Sequence, residues 1–178
     1  MMVTNNVIQG WNGRFYEDFE VGDIYPHPLG RTITQNDNIW FTQLTQNTNP
    51  IHFDEEYARK TDFGRPIVNS CFTLALVTGQ SVGDISQNAM ANLGWDDIKL
   101  PNPVFEGDTI YSYSEVLSKR PSATRENVGI ITVKTCGYNQ EAKIVIEFLR
   151  TMMVYKKDYA PTKENPLLNK VLKMGEST

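Results

Sequence analysis

The sequence predicts an α+β domain in which an antiparallel β-sheet wraps around one long central α-helix. Three observations carry that expectation. Residues 70–82, Ser-Cys-Phe-Thr-Leu-Ala-Leu-Val-Thr-Gly-Gln-Ser-Val, are apolar nearly all round, and a helix without a polar face must be buried on most of its surface. Three later segments rich in β-branched and aromatic residues read as strands divided by short turns, which favours an antiparallel meander. Between residues 14 and 156 no repeat, low-complexity tract or linker interrupts the chain, so this stretch is expected to be a single domain.

Residues 1–13 are polar and Asn/Gly-rich and read as a flexible N-terminal segment. Ile24 to Ile33 reads as a strand. Thr34 is placed to cap a helix whose apolar residues Ile39, Trp40 and Leu44 recur at helical spacing. Asp54 is placed to cap a short second helix running to Arg59, and the apolar helix follows. The strands are then Thr109 to Leu117, Val128 to Tyr138 and Ala142 to Tyr155, separated by Pro121–Asn127 and by Asn139-Gln140. Residues 157–178 read as a tail, in which Leu167, Leu168, Val171 and Leu172 can form one apolar helical face for docking on the domain or a partner.

With 178 residues, 40% of them hydrophobic and 21% charged, the chain suits one hydrophobic core. Seventeen basic against twenty-one acidic residues give a net charge of −4, which does not attract phosphate backbones, so nucleic acid is not an expected partner. Cys71 and Cys136 sit inside apolar stretches and read as small core residues, not as a disulfide framework. His27 lies between two prolines and reads as a surface-loop histidine; His52 is the only other one. Without a CxxC, HExxH or similar cluster, no metal site is expected. Met1 to Gly10 shows no basic run followed by an apolar one, and no stretch approaches 18 apolar residues. A cytoplasmic location without a membrane span is the expectation.

The informative stretch runs from Thr45 to Ser70, dense in side-chain amides around His52. Asn49-Pro50 forms turns and pushes the residue before proline out of helical geometry, so such a bend can hold His52 rigidly relative to Asn47. Phe63-Gly64-Arg65-Pro66 is a second bend, leading into the N-terminus of the apolar helix. Unpaired N–H groups there suit a developing negative charge.

The ordered run Asn-Pro-Ile-His-Phe-Asp, then Tyr-Ala, then Phe-Gly-Arg-Pro-Ile-Val resembles the signature of the MaoC-like (R)-specific enoyl-CoA hydratases and dehydratases. Tyr16-Glu-Asp-Phe-Glu-Val-Gly-Asp23 and Phe105-Glu-Gly-Asp-Thr109 resemble the flanks of the same family, and the resemblance extends over roughly residues 15–156. It implies the hot-dog fold, commonly paired as a homodimer, and an acyl-CoA substrate with coenzyme A as part of that substrate and no separate cofactor. Two positions depart from the family pattern: Asn47 stands where it has an aspartate, and Asn69-Ser70 where it usually has His-Gly. With Trp40-Phe-Thr-Gln-Leu-Thr and Asn139-Gln140, these departures resemble the branch acting on mesaconyl-CoA, 2-methylfumaryl-CoA and itaconyl-CoA.

The resemblance implies residue roles for adding water across an α,β-unsaturated thioester. His52 suits the proton transfers, because an imidazole with a pKa of about 6.5 accepts and returns a proton near neutrality. Asn47 is no base and would position the water. Losing a general base costs a factor of about 10² to 10⁴ unless something compensates, as a dicarboxylic substrate's distal carboxylate would. The Ser70 N–H, beside Asn69, would stabilise the enolate, while the Ser70 side chain can equally cap the helix. Thr78 lies two turns on, where the family has a hydroxyl, and can equally be back-bonded to its own helix. Arg65 would pair a substrate carboxylate or brace its loop. Lys119, Arg120 and Arg125 flank a turn and are weaker candidates for the phosphates of coenzyme A. Two other readings stay open: thioester hydrolysis, which the lack of an acidic residue at the motif position counts against, and a non-catalytic acyl-CoA-binding partner subunit.

Overall fold

Three long strands, each hydrogen-bonded to the next, form the platform on which everything else is laid. The structure is a computed structural model that describes residues 8, 10–161, 167, 168 and 171. In chain order the elements are β1 (Ile24–Pro26), β2 (Arg31–Thr32), α1 (Gln35–Leu44), α2 (Glu55–Ala58), α3 (Ser70–Gln80), β3 (Ala89–Lys99), β4 (Thr109–Pro121), β5 (Val128–Tyr138) and β6 (Ile144–Tyr155). The sheet runs β1-β4-β5-β6-β3, antiparallel throughout, and β2 also pairs with β4. Tyr113 faces Cys136 across β4 and β5, and Val133 faces Arg150 across β5 and β6.

The α+β reading and the order of its elements agree with this architecture. The strand expected over Ile24–Ile33 is split after Pro26, because Pro28 has no N–H to give the ladder and the His27 side chain turns inward. The sequence reading missed β3. Its Ala, Asn, Gly and Asp residues are poor strand formers, and it is held by pairing with β6 through a ladder broken by register shifts.

Helix α3 crosses the sheet over β4 and β5. Val77 seats against Gly137, where an added Cβ would come within 2.7 Å of the valine. The Gln80 amide donates to the Ile110 carbonyl at 2.8 Å, and the Ser112 hydroxyl donates to Gln80 Oε1 at 2.8 Å. One apolar cluster under α3 contains Val77, Ile110, Val145, Ile146 and Phe148. A second, containing Phe19, Ile85, Val116, Val133 and Met152, lies further along the same strands. Alternation puts Ser112, Ser114, Thr135 and Arg150 on that same sheet face between the clusters. A buried polar belt thus divides the core.

His27 belongs to the belt. It is buried, not a surface-loop residue as its prolines suggested. Its ring reaches Asp84 Oδ2 at 3.3 Å through Nδ1 and Ser114 Oγ at 3.0 Å through Nε2, and Ser114 meets Thr135 Oγ1 at 2.8 Å. Arg14 donates to the other oxygen of Asp84 at 2.9 Å. Asp84 sits in a π-helical turn, Val82–Ser86, directly after α3. Trp11 donates to the Gly83 carbonyl at 3.0 Å, and the Arg14 guanidinium lies over the Trp11 and Tyr25 rings. The end of the segment expected to be flexible is therefore tied to this turn. Of the tail's expected apolar face Leu172 lies outside the described residues, while Leu167 and Val171 are exposed.

Helix α3 is less covered than an all-round apolar sequence demands. Thr73 and Val77 are buried, whereas Cys71, Ala75 and Gly79 are exposed. Cys71 is thus not the core residue expected; Cys136 is buried. Among the described residues no helix is long and apolar enough to cross a membrane.

Burial pushes the His27 pKa below its ordinary value of 6.5, and the hydrogen bond to Asp84 only partly offsets this. The folded protein therefore binds this proton less readily than the unfolded chain, so stability is lost as pH falls below 6.5 toward the folded value. His27→Gln should make the fall in thermal midpoint between neutral and mildly acidic pH shallower than in the wild type. An unchanged slope would remove His27 as its source.

Candidate active site

The site is built where α1, the Asn47–His52 turn and the start of α3 converge. Thr34 caps α1 in a reciprocal box with Asp37: Thr34 Oγ1 accepts from the Asp37 N–H at 3.3 Å, and the Thr34 N–H donates to Asp37 Oδ2 at 2.8 Å. The residues that α1 buries are Asn38 and Thr42, while Trp40 and Leu44, expected on its inner face, are 71% and 78% exposed. Beyond α1 the chain reverses through Gln46 at φ 56°, a left-handed conformation unusual for glutamine. The Asn47 N–H then donates to the Thr42 carbonyl at 3.0 Å.

Asn47 Oδ1 accepts from the Asn49 N–H at 3.0 Å, and Asn49 Oδ1 accepts from the Ile51 N–H at 3.2 Å. These two Asx turns wind Pro50–His52 into a single 3₁₀ turn. His52 is buried, and its Nδ1 lies 2.9 Å from the Ile67 carbonyl. A carbonyl only accepts, so Nδ1 carries the proton and Nε2 of the neutral ring carries the lone pair. That is the arrangement a general base needs.

Gly64 at φ 68° makes the bend that turns the chain into α3. Asn69, not Ser70, is the N-cap: its Oδ1 accepts from the Cys71 N–H at 3.0 Å, and its Nδ2 donates to Thr42 Oγ1 at 3.2 Å. Ser70 is the first helical residue and is exposed. Its N–H has no partner among the described residues, as expected of a first-turn amide. Ile67, Ser70, Thr73, Leu100 and Val104 line a cavity of about 210 Å³. This is smaller than a typical drug-sized pocket and of a size for an acyl group. Ile67 therefore both fixes His52 and borders the cavity that Ser70 opens onto.

The other expected site residues are spread more widely. Arg65 stacks over the Phe105 ring at 3.9 Å and has no ion pair among the described residues. It borders a recess of about 460 Å³ with Glu55, Arg59, Pro66 and Glu106. Thr78 lies about 12 Å along α3 from Ser70; its buried Oγ1 has no hydrogen-bond partner among the described residues. Lys119 is already engaged, donating to the Phe19 carbonyl and pairing with Glu20 Oε1 at 3.2 Å. With Arg120 and Arg125 it stands at the far end of the β4–β5 hairpin, away from the β4 residues beneath α3. One chain does not bring these three to His52.

A family model described as MaoC like domain matches residues 18–138. The chain belongs to the MaoC-like family. It is 32% identical over 148 residues to a mesaconyl-CoA hydratase of Cereibacter sphaeroides, an alignment covering 83% of this chain and 43% of that protein. The chain thus spans less than half of that relative's length. A structure described as a monoamine oxidase regulatory protein from Archaeoglobus fulgius superposes with a TM-score of 0.74 at 30% identity, covering 84% of this chain and 99% of that one. A Mycobacterium tuberculosis protein described as having a double hotdogfold superposes with a TM-score of 0.75 at 20% identity, covering 85% of this chain and 47% of that one. The fold is a hot-dog fold, as the motif resemblance implied.

In this MaoC-like site the residue missed from sequence is Asn38. Its Nδ2 donates to the His52 carbonyl at 2.8 Å and to the Ile67 carbonyl at 3.0 Å, and its Oδ1 accepts from the Asn69 N–H at 2.9 Å. One buried amide therefore ties the histidine turn to the cap of α3. The available signal was a polar pair, Asn38 and Thr42, spaced i, i+4 on a helix whose apolar residues suggest a different inner face. Asn38→Ala would leave several buried polar groups without partners and should cost about 3 kcal/mol of unfolding free energy by urea titration. A loss within experimental error would show that the clamp is not needed.

Proposed function

We propose that this chain is a hydro-lyase that reversibly hydrates a short, branched or dicarboxylic enoyl-CoA of the mesaconyl-CoA, 2-methylfumaryl-CoA or itaconyl-CoA type. The observation that carries the reading is the His52–Ile67 hydrogen bond, which leaves Nε2 basic in a ring bonded to a residue that itself lines the Ser70 cavity. The name of the C. sphaeroides relative supports the substrate class.

In this reading His52 Nε2 takes a proton from water as the water oxygen bonds to the β-carbon. Negative charge moves to the thioester oxygen, where the Ser70 N–H and the positive end of α3 stabilise it. The imidazolium then returns its proton to the α-carbon. Asn47 Oδ1 accepts from the Asn49 N–H, and in this reading the amide N–H groups of Asn47 serve the substrate. Those donors orient the water or a substrate carboxylate by hydrogen bonding. Arg65, without an ion pair among the described residues and bordering the neighbouring recess, suits an anionic part of the thioester.

A second copy of the chain is part of the proposal. Among the described residues strand β3 ends the sheet without a further partner strand, Leu93 and Trp95 on it are exposed, and so is the Ala75–Gly79 side of α3. A homodimer joined there would cover apolar surface that one chain leaves in water.

Purified protein should change the absorbance of mesaconyl-CoA or itaconyl-CoA without added metal or nucleotide, and His52→Ala should lower that rate by about 10² or more. Undiminished activity in His52→Ala would end the proposed role. Free thiol released without a hydroxyacyl product, read with DTNB, would indicate hydrolysis instead. Asn47→Asp should weaken turnover of the dicarboxylic substrate. A large gain on crotonyl-CoA would instead identify a hydratase that has lost its base.

A further inference from the structure

Arg150 is a charged side chain inside the protein with neutral partners. It is 7% exposed, projects from β6 into the polar belt, and burial lowers its pKa from the ordinary arginine value. Nε donates to Asn92 Oδ1 at 2.7 Å, and Nη1 donates to Ser81 Oγ at 3.2 Å and Ser86 Oγ at 3.3 Å. The Trp95 ring centroid lies 5.9 Å from the guanidinium carbon. Among the described residues no carboxylate pairs with it, and its Nη2 group has neither a partner nor a seal against solvent.

A buried charge without a counter-ion is costly, and neutral hydrogen-bond acceptors offset only part of that cost. The three acceptors nevertheless hold the fork in one orientation. They come from the end of α3, from the π-helical turn and from β3. Fixing a guanidinium edge toward solvent through three elements is the construction expected of an anion site. A single guanidinium, with no second cation beside it in the described residues, matches a singly charged planar group better than a phosphate.

We propose that Arg150 is the anchor of a carboxylate-binding site. The carboxylate docks on Nη2, and the exposed indole of Trp95 flanks the short carbon chain behind it. The choice of a small dicarboxylate rests on the hydratase reading. Ser70 and Ser81 are about 16 Å apart along α3, so the site does not serve the acyl group held at the same chain's Ser70. The carboxylate comes either from a free dicarboxylate or from a thioester bound at a second copy. A two-fold axis normal to the sheet, joining β3 edges, makes the two α3 helices antiparallel and brings unlike ends toward each other.

The test is a titration of the full chain with mesaconate, against sodium chloride of equal ionic strength, following the Trp95 indole resonance assigned with Trp95→Phe. A saturable shift is expected in the wild type, lost in Arg150→Gln and retained in weakened form by Arg150→Lys. No saturable shift in the wild type overturns the site whether or not the variants fold, as does a wild-type response in Arg150→Gln. The source follows from kinetics. If the carboxylate belongs to the thioester, Arg150→Gln lowers the preference for mesaconyl-CoA over crotonyl-CoA about 10- to 100-fold; if it is a free dicarboxylate, mesaconate binds but that preference stays. Arg150→Gln that dissociates the assembly, with mesaconate ignored by the wild type, assigns Nη2 to an acidic side chain of the second copy and overturns the proposal. The titration needs no turnover, so an inactive hydratase and an empty Arg150 site give different results.

Discussion

Asn38 brings together segments that local structure alone does not join. Its amide holds the carbonyls of His52 and Ile67, its oxygen holds the N–H of Asn69, and Asn69 in turn bonds Thr42 one turn further along α1. Each of these groups is buried or partly buried, so each hydrogen bond also removes the penalty of a backbone group left dry. The histidine tautomer, the cavity beside Ser70 and the direction of α3 all depend on this junction. A hydrophobic residue at 38 could fill the space but could not set the register between the turn and the helix.

The same economy appears deeper in the sheet. An unbroken apolar face would bury well, yet Ser112, Ser114, Thr135, His27 and Arg150 divide it. The belt positions the π-helical turn, because Asp84 and Ser86 are held by His27 and Arg150 respectively. Turns of this kind are often found at functional sites. Here the turn follows directly on α3, so whatever engages Arg150 is mechanically continuous with the helix whose other end carries Ser70.

Relatives of about twice this length place the chain in a particular light. One superposed protein is described as having a double hotdogfold. This chain presents one unit with an exposed side of α3 and a free β3 edge, so a second copy would supply the missing cover. Within one chain the apolar sequence of α3 is only partly buried.

By itself the sequence determined the elements whose causes are local. Thr34, Asp54 and the Asn49-Pro50 turn state their roles within a few residues, and β5 and β6 carry unmistakable β-branched patterns. The motif around His52 likewise identified the family, because its spacing is contiguous. Tertiary structure decided the rest. Strand β3 exists because β6 offers it a ladder, His27 is buried because a proline-bounded turn faces Asp84 and Ser114, and Asn38 turns inward because three distant backbone groups need partners. All of these partners are remote in sequence from the group they satisfy. A hydrogen bond over such a separation leaves no periodic trace in the sequence, whereas a helix cap or an alternating strand does.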